Sequence, residues 1–473
     1  MSELAQRAAL KHSIGGGAAW PPSWNTMPHG ISVGRYIDPG FTKLEYEKLW
    51  NKVWQAAARL DEIPRPGDHT VYEIGDQSVM IVRVDADTIK AYHNVCPHRG
   101  TQLADGCGTF EKQQIMCPFH GWRWNLSGEN QFVLERQEFR GGQLQNSDVA
   151  LKPVHSAVYA GFVWINLDRN PAQTFDEFIA PVRTLFDRLQ IDLMRHYWWK
   201  AIPVAANWKI AQEAFFEAFH VPATHPQLEV QGAKVVSGEI PESEFTAFTH
   251  RGVVYETFEN GHGRFFGTRT PMRGQQNNQV SSDAVENMAA RLSLLVNGMD
   301  AQVLQKDVDV LLELKGKPVP ADSSLGGEYI KALYARAAAE KRPMPAPTPE
   351  ALGMWGGELF VFPNLMILPQ AGNAMIYRVR PDGDDPNRCV FEIMSTTTWP
   401  EGHQVERATV TPVTDQHDPE QVLLIPRQDL GNIPRMQKGL RSKGIRQTWL
   451  AVEQEKIILG MHRELDRYLR DEI

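Results

Sequence analysis

Two cysteines and two histidines fall in one short window of the 473-residue chain: Cys96-Pro97-His98, eighteen residues, then Cys117-Pro118-Phe119-His120. Each half supplies one thiolate and one imidazole from a tight turn, so the two turns brought together offer four metal ligands. A single zinc ion would take all four tetrahedrally. A [2Fe–2S] cluster would split them, two thiolates on one iron and two imidazoles on the other. The mixed halves favour the split, because zinc fingers usually put both cysteines in one half and both histidines in the other. Gly100 and Gly121 follow the ligands and allow close backbone approach, so that amide N–H groups can point at sulfur. Imidazole in place of thiolate raises the reduction potential, which suits a centre that passes electrons onward. Neither half uses Cys107 or Cys389, and both read as small buried hydrophobes.

A second set follows in the run Asn207 to His225. Glu213, Glu217 and His220 stand at helical spacing, which predicts a shared face on an apolar helix over 208–220. A buried carboxylate costs on the order of several kcal/mol unless it is paired or coordinated. Pro222 then breaks the helix and lets His225 fold back beside His220. Two imidazoles with one carboxylate from elsewhere form the facial triad of non-heme Fe(II) oxygenases, which leaves positions open for O₂ and substrate. By itself H-x-x-x-x-H is a weak signal. Its weight comes from following an electron-transfer motif in the same chain.

The elements that must position these groups change character along the chain. Residues 1–40 are rich in Gly, Pro and Ser and read as an irregular arm. Apolar residues at helical spacing predict a helix over 41–60, ended by Pro64 and Pro66. Short β-branched runs at 69–74, 78–84, 88–93 and 161–167 predict a small antiparallel β unit over about 65–168. Asn170-Pro171 marks a turn. Beyond it, helices are expected at 175–189 and 208–220, and strands at 197–205, 253–257, 264–268, 359–362, 365–368, 374–380 and 389–398. Residues 281–341 look like a helical insertion, and 444–470 like a C-terminal helix. Phe215, Phe216, Phe266, Met272, Met354 and Phe362 are candidate liners of an apolar pocket.

Composition bounds the class. Hydrophobic residues make up 42% and charged residues 22%, which is ordinary globular usage and excludes disorder or coiled coil as the main state. With 49 basic and 57 acidic residues, the formal charge of −8 argues against a nucleic-acid binder. The longest apolar run, about 157–167, falls far short of the ~20 residues that cross a bilayer. Neither a signal peptide nor a membrane anchor is expected, and a cytoplasmic location follows as an expectation.

Taken together these residues resemble the catalytic α subunit of the Rieske-type non-heme iron aromatic-ring-hydroxylating oxygenases. The likeness runs in motif order over about residues 40–230 and more weakly to the C-terminal helix. It implies an α+β chain: an arm (1–40), a Rieske [2Fe–2S] antiparallel β domain with its preceding helix (41–168), and a helix-grip, START-like catalytic domain (169–473) with an antiparallel sheet and a C-terminal helix. It implies a cluster on Cys96, His98, Cys117 and His120, and a mononuclear Fe(II) on His220, His225 and a late aspartate. Asp429, in Arg427-Gln428-Asp429-Leu430, fits that position better than Asp415 or Asp418. Glu217 falls on the family's bridging acid, which is more often Asp; Phe219 replaces a common Tyr and Ala214 a common Asn.

The resemblance further implies α3 or α3β3 rings, in which one subunit's cluster serves the next subunit's iron. It implies electrons from NAD(P)H through a separate reductase, with or without a ferredoxin. No G-x-G-x-x-G follows a strand and no flavin motif is visible, so the reductase is a partner. The expected reaction hydroxylates, cis-dihydroxylates or oxidatively demethylates a small apolar or aromatic substrate with O₂, as in aromatic hydrocarbon catabolism. The rival expectation is a Rieske electron-transfer or ligand-binding protein without oxygenase activity.

Overall fold

Strict alternation in the strand Gln77–Arg83 shows how the N-terminal half is layered. Val79 and Ile81 face the main hydrophobic core, while Met80 and Val82 face a second, smaller core on the other side. In the computed structural model, which describes residues 20–244, 252–267, 282–320, 322–404 and 406–473, this strand lies inside a seven-stranded antiparallel sheet. The spatial order is Gln55–Arg59, Phe162–Asn166, Pro153–Tyr159, Ile89–His93, Gln77–Arg83, Asp68–Ile74 and Cys107–Thr109. A three-stranded sheet of Gln114–Met116, Arg123–Asn125 and Asn130–Phe132 covers the smaller core, which contains Trp122, Trp124 and both Cys96 and Cys117.

The C-terminal half is built on an eight-stranded sheet. Its order is Val253–Thr257, Gly263–Gly267, Glu358–Val361, Leu365–Gln370, Asn373–Pro381, Cys389–Thr397, Arg195–Val204 and Thr411–Pro412. All neighbours are antiparallel except the last pair. Helix Lys456–Leu469 turns Ile457, Met461, Leu465 and Tyr468 into the main core, and helix Leu424–Gly439 brings Ile425, Leu430 and Ile433 to it. This is the expected α+β architecture, with antiparallel sheets and C-terminal helices. Among the described residues no helix is long and apolar enough to cross a membrane.

Four expectations need correction. The helix expected over 41–60 stops early: Pro39–Glu45 is followed by a wider turn at Tyr46–Trp50, and Gln55–Arg59 is a strand. Gln, Ala and Arg prefer helix, but pairing with Phe162–Asn166 and complete burial override that preference. The arm is not irregular at its C-terminal end. Ile31, Arg35 and Tyr36 are fully buried, and Arg35 reaches the Asp466 carboxylate at 2.6 Å; residues 1–19 lie outside the described part. The C-terminal helix starts at Lys456, not near 444, and Trp449 and Val452 ahead of it are exposed. Cys107 is exposed on an edge strand, while Cys389 is buried as expected. Residues 268 and 281, at the ends of a predicted strand and of the insertion, lie outside the described part.

Candidate active site

The two Cys/His turns are built on one plan. In each, the cysteine N–H donates to the carbonyl five residues on, Cys96 to Thr101 and Cys117 to Trp122, both at 2.8 Å. In each, a glycine N–H returns to the cysteine carbonyl, Gly100 to Cys96 at 2.9 Å and Gly121 to Cys117 at 3.0 Å. Both glycines have positive φ, 83° and 67°, which other residues rarely adopt. The turns set the two cysteines against each other and the two histidines against each other. The thiols of Cys96 and Cys117 are buried side by side, and burial with that contact raises the Cys96 thiol to about 11. The backbone N–H groups of His98 and Arg99 point at the Cys96 sulfur and work the other way. The rings of His98 and His120 lie 4.6 Å apart, and His98 stacks on Trp122 at 4.7 Å. His98 Nδ1 is buried without a hydrogen-bond partner among the described residues. Two paired thiols, two paired imidazoles and an orphaned ring nitrogen fit a [2Fe–2S] cluster of the split-ligand kind.

The second constellation is assembled from parts distant in sequence. Helix Trp208–Glu213 ends seven residues before His220, so Glu213 and Glu217 do not share a helical face. Two consecutive phenylalanines explain the break. Phe215 packs on Tyr377 and Phe391, and Phe216 on Phe360, so the chain must turn to bury both. Glu213 points away, accepting from Tyr36 Oη at 3.0 Å with His462 Nε2 at 2.8 Å; burial raises its carboxyl to about 8. Pro222 does not end a helix; it sits in the first turn of the short helix Val221–Thr224, where a missing N–H costs nothing.

His220, His225 and Asp429 converge, with one ligand atom of each within 4.8 Å of the others. The tautomers follow from the outer contacts. His220 Nδ1 donates to Glu217 Oε1 at 2.9 Å, and His225 Nδ1 donates to Gln428 Oε1 at 2.9 Å. Both Nε2 atoms therefore turn lone pairs inward, at 3.6 and 2.9 Å from Asp429 Oδ1. Facing acceptors at that distance need a proton or a cation between them, and a divalent metal suits the donor set. Although burial disfavours the charged His220 ring, the Glu217 and Asp429 carboxylates outweigh it and raise its pKa. Asp415 and Asp418 lie elsewhere, in a turn where their carboxylates accept backbone N–H groups.

These groups sit against a cavity of about 600 Å³. Of the predicted liners only Phe215 faces it; Phe265, Leu368, Met375 and Tyr377 supply the apolar wall on the side of the sheet. Phe266 points to the opposite face of its strand from Phe265. Phe216 and Phe362 are core residues against Phe360 and Tyr468, Met354 is buried, and Met272 lies outside the described residues. Helix Ser282–Met299 of the insertion closes one side through Leu294, Leu295 and Met299. Two residues escaped the sequence reading. Gln428 was visible only as the flank of Asp429, and Glu358 only as a lone carboxylate entering an apolar strand.

Comparison with known proteins gives the family and the fold. The ring hydroxylating alpha subunit (catalytic domain) profile matches residues 191–471, and the Rieske [2Fe-2S] domain profile matches residues 53–139. The glycine betaine monooxygenase oxygenase subunit of Chromohalobacter salexigens is 31% identical over 202 residues, 42% of this chain and 44% of the relative. The carnitine monooxygenase oxygenase subunit of Escherichia coli is 29% identical over 195 residues, 40% of this chain and 50% of the relative. The chain thus spans about half the length of the curated relatives it matches. Two solved structures share the fold over nearly all of it. A quaternary ammonium Rieske monooxygenase with L-carnitine has TM-score 0.60, 16% identity and coverage of 93% and 96%. Naphthalene 1,2-dioxygenase with indole has TM-score 0.63, 17% identity and coverage of 93% and 92%.

Proposed function

Because the chain belongs to the ring hydroxylating alpha subunit family, we propose that it is the terminal oxygenase of a multicomponent system. It would use O₂ and electrons from an NAD(P)H-dependent reductase to hydroxylate or oxidatively demethylate an apolar or aromatic substrate. Cys96, His98, Cys117 and His120 would hold the Rieske cluster. His220, His225 and Asp429 would hold a mononuclear Fe(II). The observation that carries this reading is the convergence of two imidazole lone pairs and one carboxylate beside an apolar cavity, in a chain that also carries the cluster loops.

When bound, the cluster would supply electrons singly and the iron would activate O₂. The protein's own part is positional. Glu217 and Gln428 hold the two imidazoles by their Nδ1 atoms, so that both Nε2 atoms stay aimed at Asp429. Phe215, Phe265 and Tyr377 exclude water from the substrate space. Glu217 also accepts the His220 backbone N–H at 2.9 Å, which fixes the carboxylate beside the ring.

Glu217 is further proposed to link His220 to a cluster histidine of a neighbouring subunit in a trimer. Two exposed aromatics support such a contact: Phe119, beside His120, is 60% exposed, and Phe219, beside His220, is 56% exposed. Each stands on the surface next to one centre, where a second copy would cover it. The deciding experiment is mass spectrometry of products from aromatic and N-methyl substrates under ¹⁸O₂ with a surrogate reductase. Labelled oxygen in a coupled product is expected; reductase-dependent electron uptake with no labelled product from any substrate would overturn the oxygenase reading.

A further inference from the structure

Glu358 opens the strand Glu358–Val361 and is 2% exposed. It lines the same cavity as His220, His225 and Asp429. Its register partner across the sheet is Phe265, and the neighbouring wall is Leu368 paired with Met375. The carboxylate thus stands in an apolar row of a buried sheet, where acidic residues are depleted. No hydrogen bond or ion pair reaches it among the described residues, and Oε1 is buried without a partner.

The charges around the cavity sharpen the point. Its ionisable lining is Glu217, Glu229, Glu358, Asp429, His220, His225, Arg291 and Tyr377, whose phenol is raised by burial and by the Asp429 and Glu358 charges. Glu229 caps the helix Val230–Ser237 through the Gly232 N–H, and Arg291 is exposed on the helix Ser282–Met299. A divalent metal on the triad would balance Glu217 and Asp429. Among the described lining residues that leaves Glu358 as a buried carboxylate with no counter-charge, across the sheet from Phe265. Burial and the Glu217 charge raise its carboxyl well above the ordinary range, and a cation beside it would oppose that rise. An apolar cavity that keeps such a residue lacks one complementary charge.

We infer that Glu358 is the specificity residue of this cavity and that it takes the cationic nitrogen of a substrate whose remaining body is apolar. The carboxylate would pair with an ammonium group, and Phe265, Phe215 and Tyr377 would offer ring faces to it. The inference names a substrate class within the oxygenase reading and rests on that reading.

The test uses the anaerobic holoenzyme and two ligands of one shape, 3-hydroxyphenyl-trimethylammonium and its uncharged isostere 3-tert-butylphenol, measured by calorimetry at neutral pH. The wild type is expected to bind the cation at least roughly tenfold more tightly. Glu358→Gln keeps shape and removes charge. It is expected to abolish that preference while binding the neutral ligand at least as well. Equal affinities in the wild type would overturn the inference without any variant, and so would a preference surviving in Glu358→Gln. Tighter binding of the phenol would make Glu358 a neutral hydrogen-bonding acid and would equally overturn it. Oxygen consumption, measured separately, reports on the oxygenase reading: a charge preference without ligand-stimulated uptake would fail that reading alone.

Discussion

The two candidate centres of this chain are assembled in opposite ways. The cluster site is local: its four side chains lie within 25 residues, on two turns that repeat the same hydrogen bonds and the same left-handed glycine. The mononuclear site draws His220 and His225 from one segment and Asp429 from a helix two hundred residues later. At both centres a part-exposed histidine stands beside an exposed aromatic, His120 with Phe119 and His220 with Phe219, but the second centre also faces a cavity, with His225 3% and Asp429 5% exposed. A centre that exchanges electrons with partners gains from proximity to the surface. A centre that handles O₂ and an apolar substrate gains from exclusion of water. The physical consequence is that the cluster site depends on its own loops, whereas the iron site depends on the packing of the whole C-terminal half.

That difference can be broken by loosening the scaffold alone. Lys209, on the helix before His220 and His225, pairs with Glu45 at 2.6 Å, and both side chains are almost fully buried. Lys209→Ala leaves Glu45 buried with the Trp208 Nε1–H but no cation, and should cost about 3–5 kcal/mol of stability. Denaturant titration followed by iron release should show mononuclear iron lost well before the cluster's visible absorbance. Simultaneous loss of both would contradict the asymmetry. A smaller effect is expected from Glu217→Gln, which should leave both metals bound but slow turnover by roughly 100-fold. Single-turnover kinetics checks this, and wild-type rates would remove Glu217 from the path between subunits. The smallest expected effect is on Gln428→Ala. Loss of the His225 Nδ1 acceptor should weaken mononuclear iron binding by about 10–100-fold, measured by competition with a chelator, with the cluster spectrum unchanged.

The same contrast explains how much was legible in the sequence. The cluster loops are the more legible part, because ligand type, spacing and glycine position are all local. At the iron site the two histidines were legible as a motif, but the aspartate needed the family resemblance to single it out from Asp415 and Asp418. The path between Glu213 and His220 is not legible, since helical spacing does not reveal that Phe215 and Phe216 must be buried on different sides. Gln55–Arg59 was misjudged for a related reason: residues that favour helix in isolation lie in a strand once Phe162–Asn166 pairs with them. Glu358 carried no motif. Its meaning depends on which face of the strand lines the cavity, and that is set by the register with Phe265.

The most direct test of the central claim is the iron and acid-labile sulfide content of anaerobically purified wild type beside Asp429→Ala. About three irons and two sulfides per chain are expected in the wild type, falling to about two irons with sulfide and visible spectrum unchanged in the variant. A wild type holding zinc or only two irons, or a variant that keeps the third, would contradict it.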